Sequence, residues 1–368
     1  MIAGRLRGAL RPLTVVSIAI AVVLLVYGLL GYSVTAVVDG VLAGSVTSPA
    51  AAEQTLRWTV PLLLMGLGIA VAFKARYFNV GAQGQMYVGA MASLVVGLWG
   101  DGRAPALVVP LAFVAAVLAG AVWSLAAGLL RLLLGADEVV TSLMLNFVAI
   151  LLLQWATSGP LKSRAGTGQA ATTESIDAGY RISTSTGVSV QILVICALTV
   201  AATAILVHWT RTGLEISLVG RNPVMARWQG INSTGVGVLV FGFSGGCAGL
   251  AGAVETFGPA GSLRAGFSPQ VGFMAVVVAL VGGLGALGVL LAALFFGALR
   301  AASLYLPVVT DLPQSGIDLL SGVIALLITA TGIPWLRRRQ RRRRPRSGDG
   351  ASDVPERPVT REREVVTR

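Results

Sequence analysis

Apolar residues run along this chain in blocks of near-constant length, with little of the alternation that marks strands. The blocks cover approximately residues 13 to 38, 57 to 73, 80 to 99, 105 to 133, 139 to 157, 188 to 209, 234 to 256 and 317 to 334. Most approach the roughly 20 residues a helix needs to cross a hydrocarbon core about 30 Å thick. A further block, Phe273 to Leu306, is interrupted by GGLGALG at 282 to 288. At about 1.5 Å per residue it makes two shortish helices with the glycines as the turn between them. The pattern predicts an all-α polytopic membrane protein of about ten transmembrane helices over residues 1–334, with broken helices in its core.

Charge orients these spans. Arg5, Arg7 and Arg11 precede the first block, which is too long for a cleavable signal and reads as a retained span. After the last block, residues 335–368 form a basic tail that holds 12 arginines against 5 acids from Arg337 onward, most of the formal +12. The tail reads as a disordered cytoplasmic anchor drawn to anionic lipid, with no nucleic-acid role. Basic ends on both sides put both termini in the cytoplasm, so the number of crossings is even. The count then places Lys74, Arg76, Arg131, Arg211, Arg221 and Arg227 inside, and Asp101, Arg103 and the polar loop 158–187 outside. Composition agrees with the bilayer reading, at 55% hydrophobic, 12% charged and a mean hydropathy of +0.80. Cys196 and Cys247 lie within apolar stretches and read as packing residues.

Three stretches carry polar chemistry. FNVGAQGQ at 78 to 85 sets Asn79, Gln83 and Gln85 beside Gly81 and Gly84 between two apolar blocks. Such amides mark a broken helix start beside a polar cavity, or else hydrogen-bond neighbouring helices together. GADEVVTSLMLN at 135 to 146 opens a helix on Asp137 and Glu138 and carries Ser142 and Asn146 on one face. In TRTGLEISLVGRNPVMARWQGI at 210 to 231, Asn222 and Pro223 form an N-cap and first turn and Gly230 a stop. They predict a short helix of about two turns exposed on the cytoplasmic face. Gly245, Gly249 and Gly252 give the seventh block a small face for close helix packing.

Few ionisable groups remain near apolar sequence. Arg300, Glu255 and Asp318 all fall in the outer half by this count, where Arg300 serves the solute path or snorkels to the interface; His208 sits at a cytoplasmic span end. The chain has no metal-ligand spacing, no nucleophile with a credible base, no Gly-Lys phosphate loop and no ladder of intramembrane acids. It is therefore read as a transport subunit, with no cofactor of its own and with energy supplied by a partner.

FNVGAQGQMYVGA, DEVVTSLMLN, SGPLK, TGLEISLVGRNPVMARWQGI, SGGCAGLAGAVE and GFMAVVVALVGGLGALGVLLAALFFGAL together resemble the permease subunits of bacterial ABC importers of the simple-sugar and nucleoside type, relatives of the ribose and branched-chain amino acid permeases. The order is kept over most of residues 57 to 334, and the motif combination points to the nucleoside branch. The resemblance implies a bacterial cell membrane protein that pairs with a second permease, identical or different. It also implies a cytoplasmic ATPase that holds ATP and magnesium, and an extracytoplasmic substrate-binding lipoprotein.

Matched by motif, the ATPase-coupling residues are Gly220, Asn222, Pro223, Ala226 and Gly230, and the FN-G-GQ motif falls on Phe78, Asn79, Gly81, Gly84 and Gln85; the residues' own chemistry puts Asn79, Gln83, Gln85, Asn146 and Arg300 on the solute path. Gln83 replaces the family's usual Glu, and Ser217 and Leu218 replace an Arg-Ala pair. A path of amides and small residues suits a neutral polar solute, with nucleosides the first expectation and sugars or branched-chain amino acids the alternatives. An ion-coupled secondary carrier is the rival from another class, and it would need a coupling-ion site that the sequence does not offer.

Overall fold

The computed structural model describes residues 20–29, 31–163, 171–182, 188–267 and 271–310, with single positions at 17, 316, 319, 322 and 323. The helices in chain order are α1 (Ile20–Leu29), α2 (Val34–Ser45), α3 (Pro49–Lys74), α4 (Ala82–Trp99), α5 (Pro105–Leu134), α6 (Glu138–Ser158), α7 (Val190–Trp209), α8 (Arg211–Arg221), α9 (Pro223–Trp228), α10 (Ser233–Glu255), α11 (Val271–Val281) and α12 (Ala286–Val309). Among the described residues, six are long and apolar enough to cross a membrane: α3, α5, α6, α7, α12, and α10 with its continuation to Ala260.

Local sequence explains most of the boundaries. Pro105 occupies the first turn of α5, and Gly135, at φ 69°, closes it by donating to the carbonyls of Arg131 and Leu130. Asp137 caps α6 by accepting from the backbone of Val139 and Val140. α10 ends in a π turn, Thr256–Ala260, because Pro259 has no N–H to bond the carbonyl four residues back.

α3 and α10 form the centre. α11 and α12 pack against α3, α4 and α5 pack against α10, and α2 and α6 lie outside α12 and α4. In hydrocarbon, apolar side chains gain nothing by leaving lipid for protein, so close backbone approach must hold such helices together. The α10 glycines supply it. A methyl group on Gly249 would lie 2.1 Å from the Ala116 carbonyl oxygen of α5, and one on Gly89 of α4 would lie 2.4 Å from the Gly249 Cα. The packing role expected of this stripe is what the structure places there. α5, α6 and α7 leave Leu118, Phe147 and Leu198 exposed, as a lipid-facing surface requires.

Several sequence boundaries need correction. A single span over residues 13–38 is not formed, because the chain breaks between α1 and α2, where Gly31 takes φ 88° and the Ser33 side chain accepts from the Ala36 N–H. The span read as 57–73 starts at Pro49, capped by Ser48 accepting from Ala51 N–H, so that Arg57 lies two turns inside α3. The Phe273–Leu306 block does divide at its glycines, with Gly283 at φ 64°, but into unequal helices of 11 and 24 residues. Most of the block at 317–334, Asp318 and the tail 335–368 lie outside the described residues.

Residues 171–182, between α6 and α7, form a strap across the turn that ends α10. Backbone bonds join Thr173 to Leu263, Ile176 to Gly261 and Ile182 to Phe257, and isolated bridges pair Lys162 with Thr173 and Thr172 with Arg264. Tyr180 anchors the strap by donating to the Gly100 carbonyl beyond α4.

Candidate functional site

The amides of residues 78 to 85 are buried and bonded to neighbouring helices. Asn79 and Gln85 form a reciprocal pair: Asn79 Nδ2 donates to Gln85 Oε1 at 3.0 Å, and Gln85 Nε2 donates to Asn79 Oδ1 at 2.8 Å. Asn79 Nδ2 also reaches Ser244 Oγ on α10 at 2.9 Å and Ser124 Oγ on α5 at 3.4 Å. Its Oδ1 accepts from Gly81 N–H at 3.0 Å, which shapes the start of α4.

From α6, Asn146 bridges the same loop, accepting from Gly84 N–H at 2.8 Å and donating to the Val80 carbonyl at 3.0 Å. Ser142, one turn earlier, accepts from Val80 N–H at 3.2 Å. Gln83 turns the other way, and its Oε1 accepts from Gly272 N–H at the start of α11 at 2.6 Å. The cluster thus ties α4 to α5, α6, α10 and α11. Each bond replaces a partner that hydrocarbon cannot supply.

Arg300 lies elsewhere. On α12 its guanidinium sits over the Trp58 ring of α3, 5.2 Å from the centroid, and that of Arg57 sits 5.3 Å from the same ring. Arg57 Nη2 pairs with Glu255 Oε1, at the end of α10, at 3.2 Å. The structure therefore gathers Arg57, Trp58, Glu255 and Arg300 from three helices. Arg57 and Trp58 are not singled out in the sequence, because a span read as 57–73 places Arg57 at a helix end. The signal was Arg57 itself, a cation two turns inside the helix that Ser48 and Pro49 announce.

At the opposite end, α8 and α9 form an angled pair. Asn222 caps α9, its Oδ1 accepting from Val224 and Met225 N–H at 3.1 Å each, and Pro223 fills the first turn. Gly230, at φ 78°, stops it, and Ile231 N–H bonds back to the Ala226 carbonyl at 3.0 Å. Ala226 faces inward onto Val71, Ala75, Ile216 and Val236. Val224, Met225 and Trp228 face outward and are exposed. α8 was not foreseen, although Thr210 caps it by accepting from Gly213 N–H at 3.1 Å. Gly220, near its end, lies against the Lys74 carbonyl at the foot of α3. Nearby, burial pushes the Tyr77 phenol upward, while Arg131 draws it down and Glu138 raises it further. His208 is exposed in the last turn of α7.

Residues 51–329 match the family model described as branched-chain amino acid transport system / permease component. The chain is 34% identical to the glucose ABC transporter permease protein TsgB13 of Haloferax volcanii, over 77% of each chain. It is 29% identical to the guanosine ABC transporter permease protein NupP of Bacillus subtilis, over 89% of this chain and 94% of that one. With the nucleoside ABC transporter permease protein NupB of Lactococcus lactis it shares 30% identity, over 68% of this chain and 71% of that one. No solved structure gives a significant match.

Proposed function

Because the chain belongs to the branched-chain amino acid transport system / permease component family, we propose that it is the membrane permease of an ABC importer for nucleosides. It works beside a second permease, a cytoplasmic ATPase that holds ATP and magnesium, and an extracytoplasmic binding lipoprotein. The solute is a neutral polar molecule, and transport follows alternating access driven by the partner's ATP hydrolysis.

The observation that carries this reading is α9. Six residues capped at one end and stopped at the other expose Val224, Met225 and Trp228 at the end of the molecule and root Ala226 in the hydrophobic cluster under α3 and α10. An exposed apolar tip on a rigid footing suits a socket in another subunit. Push on that tip, and the two central helices receive the displacement.

The nucleoside assignment draws support from the guanosine and nucleoside permeases among the relatives, and from a core whose polar groups are mainly amides and hydroxyls. A sugar is the second reading, favoured by the glucose permease at 34% identity. The amide cluster enters as a scaffold that holds the α4 start in place beside the path.

The test is ATP hydrolysis in proteoliposomes holding this chain with its ATPase, companion permease and binding protein. Guanosine-loaded binding protein should stimulate hydrolysis, and the joint change Asn222→Ala and Pro223→Ala should abolish stimulation. Stimulation by glucose alone would move the solute to the sugar class. No complex with an ATPase would overturn the importer reading.

A further inference from the structure

The Arg57 cluster sits far from the coupling end. From Lys74, at the foot of α3, Arg57 stands 17 residues up the helix, about 26 Å at 1.5 Å per residue. Glu255 lies at the far end of α10 from α9. Two interruptions of the helical backbone meet there. Pro61 has no N–H to donate to the Arg57 carbonyl, and Pro259 has none for the Glu255 carbonyl, where the chain widens into the π turn. Irregular backbone and a charged pair are both costly in hydrocarbon unless protein or a polar path surrounds them.

Four buried side-chain polar atoms lack a hydrogen-bond partner among the described residues: Arg57 Nε, Trp58 Nε1, Trp123 Nε1 and Ser233 Oγ. Two of the four fall at this one place. The pair is also open on one side, since the Arg57 side chain is 35% exposed while Glu255 is 9% exposed. What remains on offer is a guanidinium N–H donor, an indole N–H donor and a carboxylate acceptor.

Resting on the permease reading above, we infer that Arg57, Trp58, Glu255 and Arg300 form the solute-recognition station of this chain, built for the vicinal hydroxyls of a sugar moiety. A vicinal diol supplies the complementary donor and acceptors. One hydroxyl accepts from the Arg57 guanidinium and donates its O–H to the Glu255 carboxylate; the neighbouring oxygen accepts from Trp58 Nε1–H. The guanidiniums of Arg57 and Arg300 over the Trp58 ring hold the indole in place. A solute without the diol leaves the donors unpaired and the carboxylate without a proton donor, which is the arrangement that discriminates most strongly. The ribose of a nucleoside carries such a diol, and so does a hexose.

The experiment uses the complete importer in proteoliposomes and compares uptake of guanosine with 2′,3′-dideoxyguanosine, each at a concentration that saturates the binding protein. Glu255→Gln removes the carboxylate, and Trp58→Phe removes only the indole donor while keeping an aromatic ring. The inference expects both variants to assemble with the ATPase, companion permease and binding protein, while guanosine uptake falls on the order of tenfold or more. The preference for guanosine over the dideoxy compound should shrink with it. Should Glu255→Gln fail to assemble, Trp58→Phe decides: wild-type uptake and wild-type preference in that variant overturn the station and leave the permease reading intact. A wild-type importer that takes up neither guanosine nor a hexose overturns both.

Discussion

Gly220 and Lys74 touch backbone to backbone: a methyl group on the Gly220 Cα would lie 2.0 Å from the Lys74 carbonyl oxygen. That contact seats the α8–α9 segment on the foot of α3, which in turn holds Arg57 and Trp58. Backbone atoms cannot swing aside as a side chain can, so any larger residue at 220 must lift α8. Gly220→Ala is therefore expected to leave the chain folded and inserted but to weaken its grip on an ATPase. Stimulated hydrolysis should fall on the order of tenfold, with total protein in the membrane unchanged. Wild-type stimulation in this variant would remove α8 from the coupling role.

Asn79→Leu should act on stability. It strips partners from Gln85, Gly81 and Ser244 at once, and each buried group left unsatisfied costs about 1–3 kcal/mol. Thermal unfolding of the detergent-solubilised chain should drop by several degrees or more, while the KM for solute in surviving protein stays constant. A changed KM with an unchanged unfolding temperature would put Asn79 in contact with solute.

Gly249→Val tests the helix packing. Added carbons meet the Ala116 carbonyl oxygen of α5 on one side, where a Cβ would stand 2.1 Å away, and Gly89 packs from the other side. With no flexible side chain to yield, the cost exceeds the usual ~1–3 kcal/mol of overpacking. Purified variant should elute as aggregate in size-exclusion chromatography, whereas Gly242→Val, where nothing lies within 4 Å, should elute as the parent does.

Asp137→Asn with Glu138→Gln should change little. Asn keeps the α6 cap, and the Arg131–Glu138 pair, at 3.1 Å, is half open to solvent on the Arg131 side and worth less than about 1 kcal/mol. At least half of wild-type uptake should remain. Complete loss would argue that these acids take part in chemistry.

Features governed by neighbours in sequence were legible before the structure. Asn222, Pro223 and Gly230 announced α9 because capping, first-turn and stop rules act within a few residues. The glycine turn at 282–285 was readable for the same reason. Gly31 and Ser33 carried an equally local message, a break between α1 and α2, but the unbroken apolar run around them was given more weight. Long-range pairing was a different matter. Arg57 and Glu255 are 198 residues apart, and nothing in either stretch names the other. The amides at 79 and 85 could be singled out, yet their serine partners on α5 and α10 became visible only once the helices were packed.

The strap of residues 172–182 is held over the end of α10 largely by main-chain atoms, through Thr173 with Leu263, Ile176 with Gly261 and Ile182 with Phe257. Main-chain bonds do not depend on which side chain a residue carries. Glu174, exposed on that strap, can therefore be exchanged over generations without loosening it. Natural selection is left with a surface whose wording can be rewritten while the page stays bound.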